Sequence, residues 1–340
     1  MARWLPHFAI CLSSFLAVQP STLHRYESVE PSMGTLVKIT LYTTDEQAAT
    51  RAFRAAFDRI VDLDRILSDY KPDSELNQIT STAVGQAVKV SDDLFTVLSA
   101  SQDLAEATDG AFDVTQGPVI RVWREARKVS RLPDADTLRE AASRSGHRKL
   151  HLKAAAHTVM LDQAGMGLDV GAIGKGYAAS EALKVLGRLG VRSALVAVSG
   201  DLAFSDAPPG ERGWHVDIHP DDAALAQLPR VFELTNAAVS SSGSTEQHLD
   251  IGGKRYSHVI DPSSGMGLVG DITVTVIAPS GLDADGLDTA VSVLGPERGL
   301  ALIESRPGVA ALIVQRTNAA TNVVMSSRFR ALVARRAPNF

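Results

Sequence analysis

Two oxygen-bearing side chains four residues apart, Asp285 and Thr289, could bind one cation together. If residues 284–294 form a helix, side chains at positions i and i+4 project from the same face. Carboxylate and hydroxyl oxygens are hard donors of the kind that Mg²⁺ prefers. Because an aspartate near a helix start is also a common capping residue, the pair alone fits a structural role as well.

A second segment with chemical potential, residues 256–262, precedes this pair by some twenty residues. Its alternation predicts a strand that carries His258 and ends in a turn at Asp261 and Pro262. A histidine and an aspartate on such a turn could supply the acid and base for phosphate chemistry. A lone strand histidine is more often structural, and the neighbouring Asp261 raises the odds of a functional role.

The glycine-rich segment at residues 171–177 lies at the start of a predicted helix and includes Lys175. Its three glycines would allow close approach of the backbone to a ligand, and a helix N-terminus beside a lysine favours a phosphate. The spacing matches neither a P-loop nor a dinucleotide fingerprint. Glycines at such a position are also ordinary turn formers, so the pattern alone leaves both roles open.

Four further turns carry polar groups at the ends of predicted elements. Hydroxyls and glycines at strand ends can cradle a phosphate or hold a sugar, although they also form ordinary turns. Where an aromatic residue lies beside polar groups, it can stack on a flat ring, and Phe112 is better explained by core packing. The candidates are Gly200 with Asp201, Ser242 with Gly243, Tyr70 in residues 68–76, and Asp113 in residues 111–118.

Helices and strands alternate along the chain without the strict order of a parallel α/β fold. Capping residues and apolar periodicity predict helices from Asp45 to 67, from Ser91 to 110, over 175–189 and over 284–294, the last ending at Gly295 and Pro296. Strand patterns cover 33–42, 194–198, 214–219, 256–260, 272–278 and 309–315. This mixture predicts an α+β fold with largely antiparallel sheets flanked by helices.

Composition sets broad limits on the class of protein. A chain of 340 residues with 45% hydrophobic content can bury a large core in one large domain or two moderate ones. Its 34 basic and 39 acidic residues leave a net charge of −5, with no long run of either sign. Nucleic acid is therefore not an expected partner.

The N-terminus differs from the rest of the chain. An apolar run from Phe8 to Val18 is too short to span a bilayer and is typical of a signal-peptide core, which predicts export to the periplasm or cell envelope. An uncleaved extension is the alternative. Cys11 is the only cysteine, so the rest of the chain has no thiol for a disulfide, for zinc or for nucleophilic attack. A lipid anchor at Cys11 is disfavoured because almost no apolar segment precedes it.

Taken in chain order, these segments resemble the ApbE family, the FAD:protein FMN transferases. The resemblance covers roughly residues 26–315 and implies one catalytic domain over 26–320, built of two packed subdomains with the active site in the cleft between them. A leader over 1–22 and a C-terminal tail over 321–340 complete the expected organisation. The matching segments are 33–35, 68–76, 112–118, 169–177, 199–201, 242–243, 258–262 with Gly265, and 285–290. Thr80 and Ser244 depart from the family pattern, where asparagine and aspartate are common.

The resemblance implies an exported transferase of phosphorus-containing groups. Such an enzyme cleaves the pyrophosphate of FAD with Mg²⁺, attaches FMN by a phosphoester to a threonine of an acceptor protein, and releases AMP. Metal ligands by similarity are Asp285, Thr289 and the carbonyl of Ala172. His258 is the first choice for the acid/base, with Asp261 supporting it or competing for that role. The residues implied at the FAD site are Met33, Tyr70, Asp113, Lys175, Gly200, Asp201, Ser242 and Gly243.

Two other functions share these residues. An FAD pyrophosphatase would use water in place of the threonine hydroxyl, and the sequence does not separate it from a transferase. A non-catalytic flavin-binding protein of the envelope is disfavoured, because it would not need Asp285, Thr289 and His258 together. The acceptor would be an envelope redox protein, which implies membrane proximity only through that partner. The sequence identifies neither the acceptor nor the oligomeric state.

Overall fold

Residues 22–218, 225–243, 248–317 and 320–336 are described by a computed structural model of the chain. The strands are β1 (His24–Ser32), β2 (Thr35–Thr43), β3 (Val88–Lys89), β4 (Leu150–Lys153), β5 (Thr158–Leu161), β6 (Ala194–Val198), β7 (Asp201–Phe204), β8 (Trp214–Asp217), β9 (Val231–Leu234), β10 (Ala237–Gly243), β11 (His248–Ile251), β12 (Lys254–Asp261), β13 (Met266–Val269), β14 (Asp271–Ala278), β15 (Ala310–Arg316) and β16 (Thr321–Met325). The helices are α1 (Glu46–Leu67), α2 (Glu75–Thr82), α3 (Asp92–Ala107), α4 (Gly117–Lys128), α5 (Ala135–Ser143), α6 (Gly174–Arg188), α7 (Gly281–Ser305) and α8 (Ser327–Arg336).

An eight-stranded sheet in the order β1-β2-β6-β7-β10-β14-β15-β16 forms the centre of the molecule. Its seven ladders are antiparallel, as are those of the three smaller sheets β11-β12-β13, β3-β5-β4 and β8-β9. The expected α+β fold with largely antiparallel sheets is confirmed. Strand β2 begins at Thr35 rather than 33 because Met33 and Gly34 form the turn after β1.

The central sheet has a core on each face. Along β15, Ala311 and Ile313 belong to the core that includes α1, α6 and α7, whereas Leu312 and Val314 belong to a second core with β8, β9 and α8. Successive strand residues point to opposite faces, so the two cores lie on opposite sides of the sheet. A third cluster joins α4 and α5 to β11, β12 and β13.

Helix α7 is longer than predicted. It begins after Ser280, whose hydroxyl accepts a hydrogen bond from the Asp283 amide at 3.2 Å, and not at residue 284. The predicted stop at Gly295 is a kink, with φ 75° and ψ 179°, and helical structure resumes from Pro296, which needs no amide partner at a helix start. Since Ser280 is the cap, Asp285 lies inside the helix.

The segment expected as a C-terminal tail supplies ordered structure up to residue 336. Strand β16 pairs with β15, and Phe329 of α8 is fully buried against Phe232, with 5.5 Å between ring centroids. Residues 1–21 of the predicted leader, with Cys11, and also Ser244 lie outside the described residues. Within the described ranges, no helix has the length and apolarity that crossing a membrane requires.

Candidate active site

One end of the central sheet gathers several of the predicted residues. Val37 of β2 pairs with Val198 of β6, so the β1–β2 turn and the β6–β7 turn lie at the same sheet edge. Each turn contains a non-glycine residue in the left-handed region, Met33 at φ 50° and Ser199 at φ 57°, which is uncommon and costs conformational energy. Strand β10 runs to this same edge. The two turns and the end of β10 thus place five of the predicted residues at one end of the sheet. These are Met33, Gly200, Asp201, Ser242 and Gly243.

Two glycines let helices α6 and α7 cross in contact. A Cβ atom at Gly176 would lie 2.0 Å from the Gly281 carbonyl oxygen, and one at Gly281 would lie 2.1 Å from the Gly176 oxygen. The Ser180 hydroxyl accepts a hydrogen bond from the Gly281 amide at 2.8 Å. Gly176 therefore serves helix packing rather than the ligand approach that its motif suggested. This crossing brings the start of α6 beside Asp285.

Three buried aspartates form a cluster at the crossing. Asp201, Asp285 and Asp288 each offer a carboxylate oxygen within 4.8 Å of the others. The Lys175 ammonium donates to Asp201 and lies 3.9 Å from Asp285. The Gly176 amide donates to Asp285 at 2.9 Å. Strand β7 and helices α6 and α7 therefore place three carboxyl groups and one ammonium group in one small volume.

A serine links the sheet part of this cluster to its helix part. The Ser240 hydroxyl of β10 lies within hydrogen-bond distance of both Asp201 and Asp288, at 2.6 Å from the latter. Farther along α7, the Ser242 and Ser292 hydroxyls share a hydrogen bond of 2.7 Å. These contacts fix the registry of β10 against α7.

Burial and mutual repulsion hold the pKa values of Asp285 and Asp288 high. Burial, and next the charge of Asp201, raise the pKa of Asp285 to about 7, although Lys175 opposes the shift. Burial, Asp285 and Asp201 raise the pKa of Asp288 well above its usual range. Burial disfavours the charged form of Lys175, but Asp285 and Asp201 outweigh it and raise the lysine pKa. The cluster thus needs bound protons or another cation to balance its charge.

The donor set fits a hard divalent cation such as Mg²⁺. Three carboxylates converge, and the Thr289 hydroxyl lies beside them, donating to Asp288 at 3.1 Å. Oxygen donors of this type are the ligands that Mg²⁺ prefers. Ala172 lies just before α6, in the turn that leads to Lys175. Asp201 and Asp288 therefore join the predicted Asp285 and Thr289 as possible ligands.

His258 lies on an irregular strand. Strand β12 advances from Tyr256 to Ile260 while β13 covers only Gly267 to Val269, so β12 carries extra residues at His258. Such bulges redirect side chains and are frequent beside active sites. A Cβ atom at Gly267 would lie 2.5 Å from the Ser257 oxygen, which shows how closely the two strands approach there. Strand β12 also packs beside α7.

Asp261 is engaged in the turn that follows His258. One carboxylate oxygen accepts from the amide and hydroxyl of Ser263 at 2.9 and 2.7 Å, and the other accepts from the Ser264 hydroxyl at 2.9 Å. Burial opposes ionisation of Asp261, but these hydrogen bonds outweigh it and lower the pKa. A carboxylate that is stabilised in its charged form is a weak base.

Tyr70 lies on an exposed loop beside an arginine. The Arg124 guanidinium stands 4.2 Å from the Tyr70 ring centroid and donates to Asp69 and, at 2.8 Å, to Asp169. Burial and the charge of Asp69 raise the pKa of Asp169 to about 6, against the effect of Arg124. The Asn77 amide holds the loop by donating to the carbonyls of Asp69 and Lys71 at 2.9 Å. The Tyr70 ring is 75% exposed and free to stack on a ligand.

Asp113 shapes the entry to α4. Its carboxylate accepts from the amide and hydroxyl of Thr115 at 2.8 and 2.6 Å and from the Gln116 side chain at 3.2 Å. The same loop contacts the segment before α6, where the Asp169 amide donates to the Val114 carbonyl at 2.8 Å. The Asp113 loop therefore contacts Asp169, which precedes the α6 turn and pairs with the arginine beside Tyr70.

Comparison with known proteins shows the family of the chain. The sequence pattern of the ApbE family matches residues 33–313. The chain belongs to the ApbE family. It is 33% identical to the FAD:protein FMN transferase of Treponema pallidum, covering 92% of this chain and 91% of that protein. Identity to the FAD:protein FMN transferase of Klebsiella pneumoniae is 30%, covering 88% and 87%.

Solved ApbE structures share the fold. The apo form of the Pseudomonas stutzeri flavinyl transferase ApbE matches with a TM-score of 0.78 at 29% identity, covering 92% of this chain and 97% of that chain. The flavin transferase ApbE from Vibrio cholerae matches with a TM-score of 0.80 at 26% identity, covering 92% and 100%.

Several residues of the candidate site in this ApbE-family chain are not predicted by the sequence. Asp288 stands between the predicted Asp285 and Thr289, and its i+3 spacing from Asp285 was a usable signal. Ser240 and Arg124 carried no signal of their own, because their partners lie far away in sequence. The ligand and catalytic roles assigned from sequence stay predictions.

Proposed function

We propose that this chain is an Mg²⁺-dependent FAD:protein FMN transferase that attaches FMN to a threonine of an acceptor protein and releases AMP. The observation that carries the proposal is the buried cluster of Asp201, Asp285 and Asp288 around Lys175. It lies at the sheet edge where the turns of the family pattern meet. The names of the relatives, FAD:protein FMN transferase, support the transfer of FMN from FAD to a protein.

In the proposed reaction the threonine oxygen bonds to the phosphorus of the FMN half. The bond from that phosphorus to the bridging oxygen breaks, and AMP leaves with that oxygen. The proton of the threonine hydroxyl passes to a base on the enzyme. A bound Mg²⁺ would supply charge stabilisation for the diphosphate and its leaving group.

Other roles in the proposed reaction, namely binding of the cation, the diphosphate and the dinucleotide, fall to separate groups of residues. Asp285, Asp288 and Asp201, with Thr289 and the Ala172 carbonyl, would hold the cation. Lys175 would bind a diphosphate oxygen, for which its charge is suited. Met33, Gly200, Ser242 and Gly243 at the sheet edge, with Tyr70 and Asp113, would surround the dinucleotide.

His258 is the proposed base. It lies on the bulged part of β12, which packs beside α7. Asp261 is the weaker candidate, since both of its carboxylate oxygens are engaged by Ser263 and Ser264 and its pKa is lowered. We assign Asp261 to shaping the turn after His258.

The place of action belongs to the proposal as well. The apolar run at residues 8–18 supports export to the periplasm or cell envelope. The acceptor would then be an envelope redox protein that presents a threonine.

One incubation tests the proposed activity. Enzyme, FAD and Mg²⁺ are mixed with a peptide that carries a flavinylation-type threonine, and AMP and peptide mass are measured together. The expected result is one AMP released for each peptide that gains FMN. AMP and free FMN without modified peptide would replace the transferase with a pyrophosphatase. Retention of FAD without AMP release would leave a flavin-binding protein.

A further inference from the structure

The two arginines beside Tyr70 differ in their partners. Arg124 and Arg127 stand three residues apart on α4 and therefore share one helix face. Arg124 is fixed by Asp69 and Asp169 and covers one face of the Tyr70 ring at 4.2 Å. Within the described part of the chain, the Arg127 side chain has no ion pair, and its buried Nε has no hydrogen-bond acceptor.

An unpaired guanidinium in this position is unfavourable without a ligand. Burial, followed by the like charge of Arg124, lowers the pKa of Arg127, while the Tyr70 phenol acts in the opposite direction. A partly buried charge beside a like charge gains free energy when a hydrogen-bond acceptor arrives. Arg127 is thus available for a ligand in a way that Arg124 is not.

The chemistry of this spot selects one kind of ring. Tyr70 is 75% exposed, so a flat ring can stack on the face that Arg124 leaves uncovered. Arg127 lies near enough to Tyr70 for the phenol to affect its pKa, so its donors would meet the edge of a ring stacked there, and a guanidinium donates without accepting. An isoalloxazine presents two carbonyl oxygens on its pyrimidine edge, whereas adenine has no carbonyl oxygen and its ring-nitrogen acceptors N1 and N7 flank an amino donor. Acceptor-rich edges therefore suit Arg127 better.

We propose that Arg127 is a flavin-specificity residue that donates to the carbonyl edge of an isoalloxazine ring stacked on Tyr70. The inference rests on the proposed function in that it takes FAD as the substrate. It assigns the flavin half of that substrate to the Tyr70 loop and α4. The diphosphate is left to Lys175 and the aspartate cluster.

Ligand titration tests this assignment without any transfer reaction. Riboflavin, FAD and AMP are titrated against wild type and Arg127→Ala, with no Mg²⁺ and no acceptor peptide. Riboflavin and FAD are followed by flavin fluorescence and AMP by calorimetry. Arg127→Ala should weaken riboflavin and FAD about tenfold each, or about 1.4 kcal/mol, and leave AMP within about twofold.

A neighbouring residue provides the control. Lys128 lies on the same helix, is exposed and pairs with Glu125 at 2.6 Å, so Lys128→Ala should leave all three affinities unchanged. Mn²⁺ serves as a probe of the proposed Mg²⁺ site. Unchanged Mn²⁺ binding by Arg127→Ala would show that the aspartate cluster is folded in the variant.

Two results would overturn the inference. Riboflavin affinity within twofold of wild type would remove Arg127 from the flavin site. Weaker AMP binding with unchanged riboflavin binding would transfer Arg127 to the adenylate half. Because no step here requires transfer, a wild-type protein that binds riboflavin through Arg127 but modifies no peptide would refute only the proposed function.

Discussion

At the scale of single residues, Asp285 is the group on which the proposed cation site depends most. One of its oxygens accepts from the Gly176 amide, which fixes the carboxylate, and burial with the charge of Asp201 raises its pKa to about 7. Asp285→Asn keeps the shape and removes the charge. We expect loss of AMP release and loss of the thermal stabilisation that Mn²⁺, as a substitute for Mg²⁺, should give to wild type.

The same variant should change the pH dependence of stability. An aspartate whose folded pKa lies above its ordinary value binds its proton more tightly in the folded state. The metal-free wild type should therefore lose stability as pH rises from about 4 through 7. Asp285→Asn should flatten this fall in a Tm series, whereas Asp283→Asn, at the exposed first turn of α7, should leave both the pH profile and Mn²⁺ binding intact.

His258 can be separated from Asp261 by a pair of variants. His258→Ala should lower the transfer rate by roughly 10²–10⁴-fold with FAD affinity kept, as expected when a general base is removed. Asp261→Asn retains an acceptor for the Ser263 amide and should reduce the rate by less than about tenfold. Single-turnover rates and FAD titrations provide the measurement. A mild effect of His258→Ala beside a severe effect of Asp261→Asn would reverse the assignment.

At this scale the sequence predicts only those contacts that follow from local spacing along the chain. Asp285 and Thr289 were visible because helical spacing brings positions i and i+4 together. That Asp201 lies against Asp288 through Ser240 depends on the ladder between β7 and β10 and on how α7 packs over it. No local pattern encodes such a pairing. The paired Arg124 and unpaired Arg127 look alike in sequence for the same reason.

At the scale of elements, the crossing of α6 and α7 positions the cluster. Gly176→Ala would place a Cβ atom 2.0 Å from the Gly281 oxygen and 2.7 Å from Asp285 Cβ. We expect the helices to move apart, with about 1–3 kcal/mol lost in the free energy of unfolding and weaker Mn²⁺ binding. Gly187 lies in the same helix, and a Cβ atom there would have no neighbour within 4 Å, so Gly187→Ala should bind Mn²⁺ normally and gain up to about 1 kcal/mol. If denaturant titrations gave the same free energy of unfolding for Gly176→Ala and Gly187→Ala, close packing at the crossing would not be what Gly176 provides.

A charged contact joins α1 to α3 and α6. Arg59 donates to both oxygens of Asp93, at 2.8 and 2.5 Å, and to Glu181 at 2.7 Å. The Arg59 hydrogen bonds lower the pKa of Asp93. Burial acts to raise the pKa of Glu181, but the hydrogen bonds from Lys184 and Arg59 outweigh it, so this pKa is also lowered. A lowered carboxylate pKa stabilises the fold above the ordinary pKa of about 4, and that stabilisation disappears as pH falls through the folded value.

Arg59→Met tests this contact. The variant leaves two partly buried carboxylates without their arginine, and we expect about 2 kcal/mol less stability at pH 7. Its Tm should approach that of wild type as pH falls below 4. Arg65→Met is the control, since Arg65 pairs with Asp62 only on the surface and should change stability by less than about 0.5 kcal/mol. A deficit that stays constant from pH 7 to 3 would assign the loss to packing.

Elements were more predictable than their contacts. The cap at Asp45 and the helix that follows were legible because the Asp45 carboxylate accepts from the Ala48 amide and α1 has a regular apolar face. The start of α7 was misplaced because Ser280 gives the same signal as many turn serines. The bulge at His258 was invisible, since it arises from pairing between β12 and β13.

At the scale of the whole molecule, the helices that carry the candidate site and the second hydrophobic core lie on opposite faces of one sheet. Lys175, Asp285 and Asp288 come from helices on one face, whereas α8, β8 and β9 cover the other. The sheet residues Asp201 and Ser240 complete the cluster at the sheet edge. Sequence analysis did not show the second layer, because the continuous apolar run of β15 is buried on both sides and shows no alternation.

Phe329 provides the test of this division. It is fully buried against Phe232, and Ser326 anchors it by accepting from the Phe329 amide at 3.2 Å and from the Ala311 amide of β15 at 3.0 Å. Phe329→Ala should cost about 3–5 kcal/mol, while Val269→Ala, at an exposed strand end, should cost less than about 0.5. Because the second core lies across the sheet from the aspartates, folded Phe329→Ala protein at low temperature should bind Mn²⁺ and FAD like wild type. A variant that melts early and also binds these ligands weakly while still folded would show that the layer behind the sheet shapes the site directly.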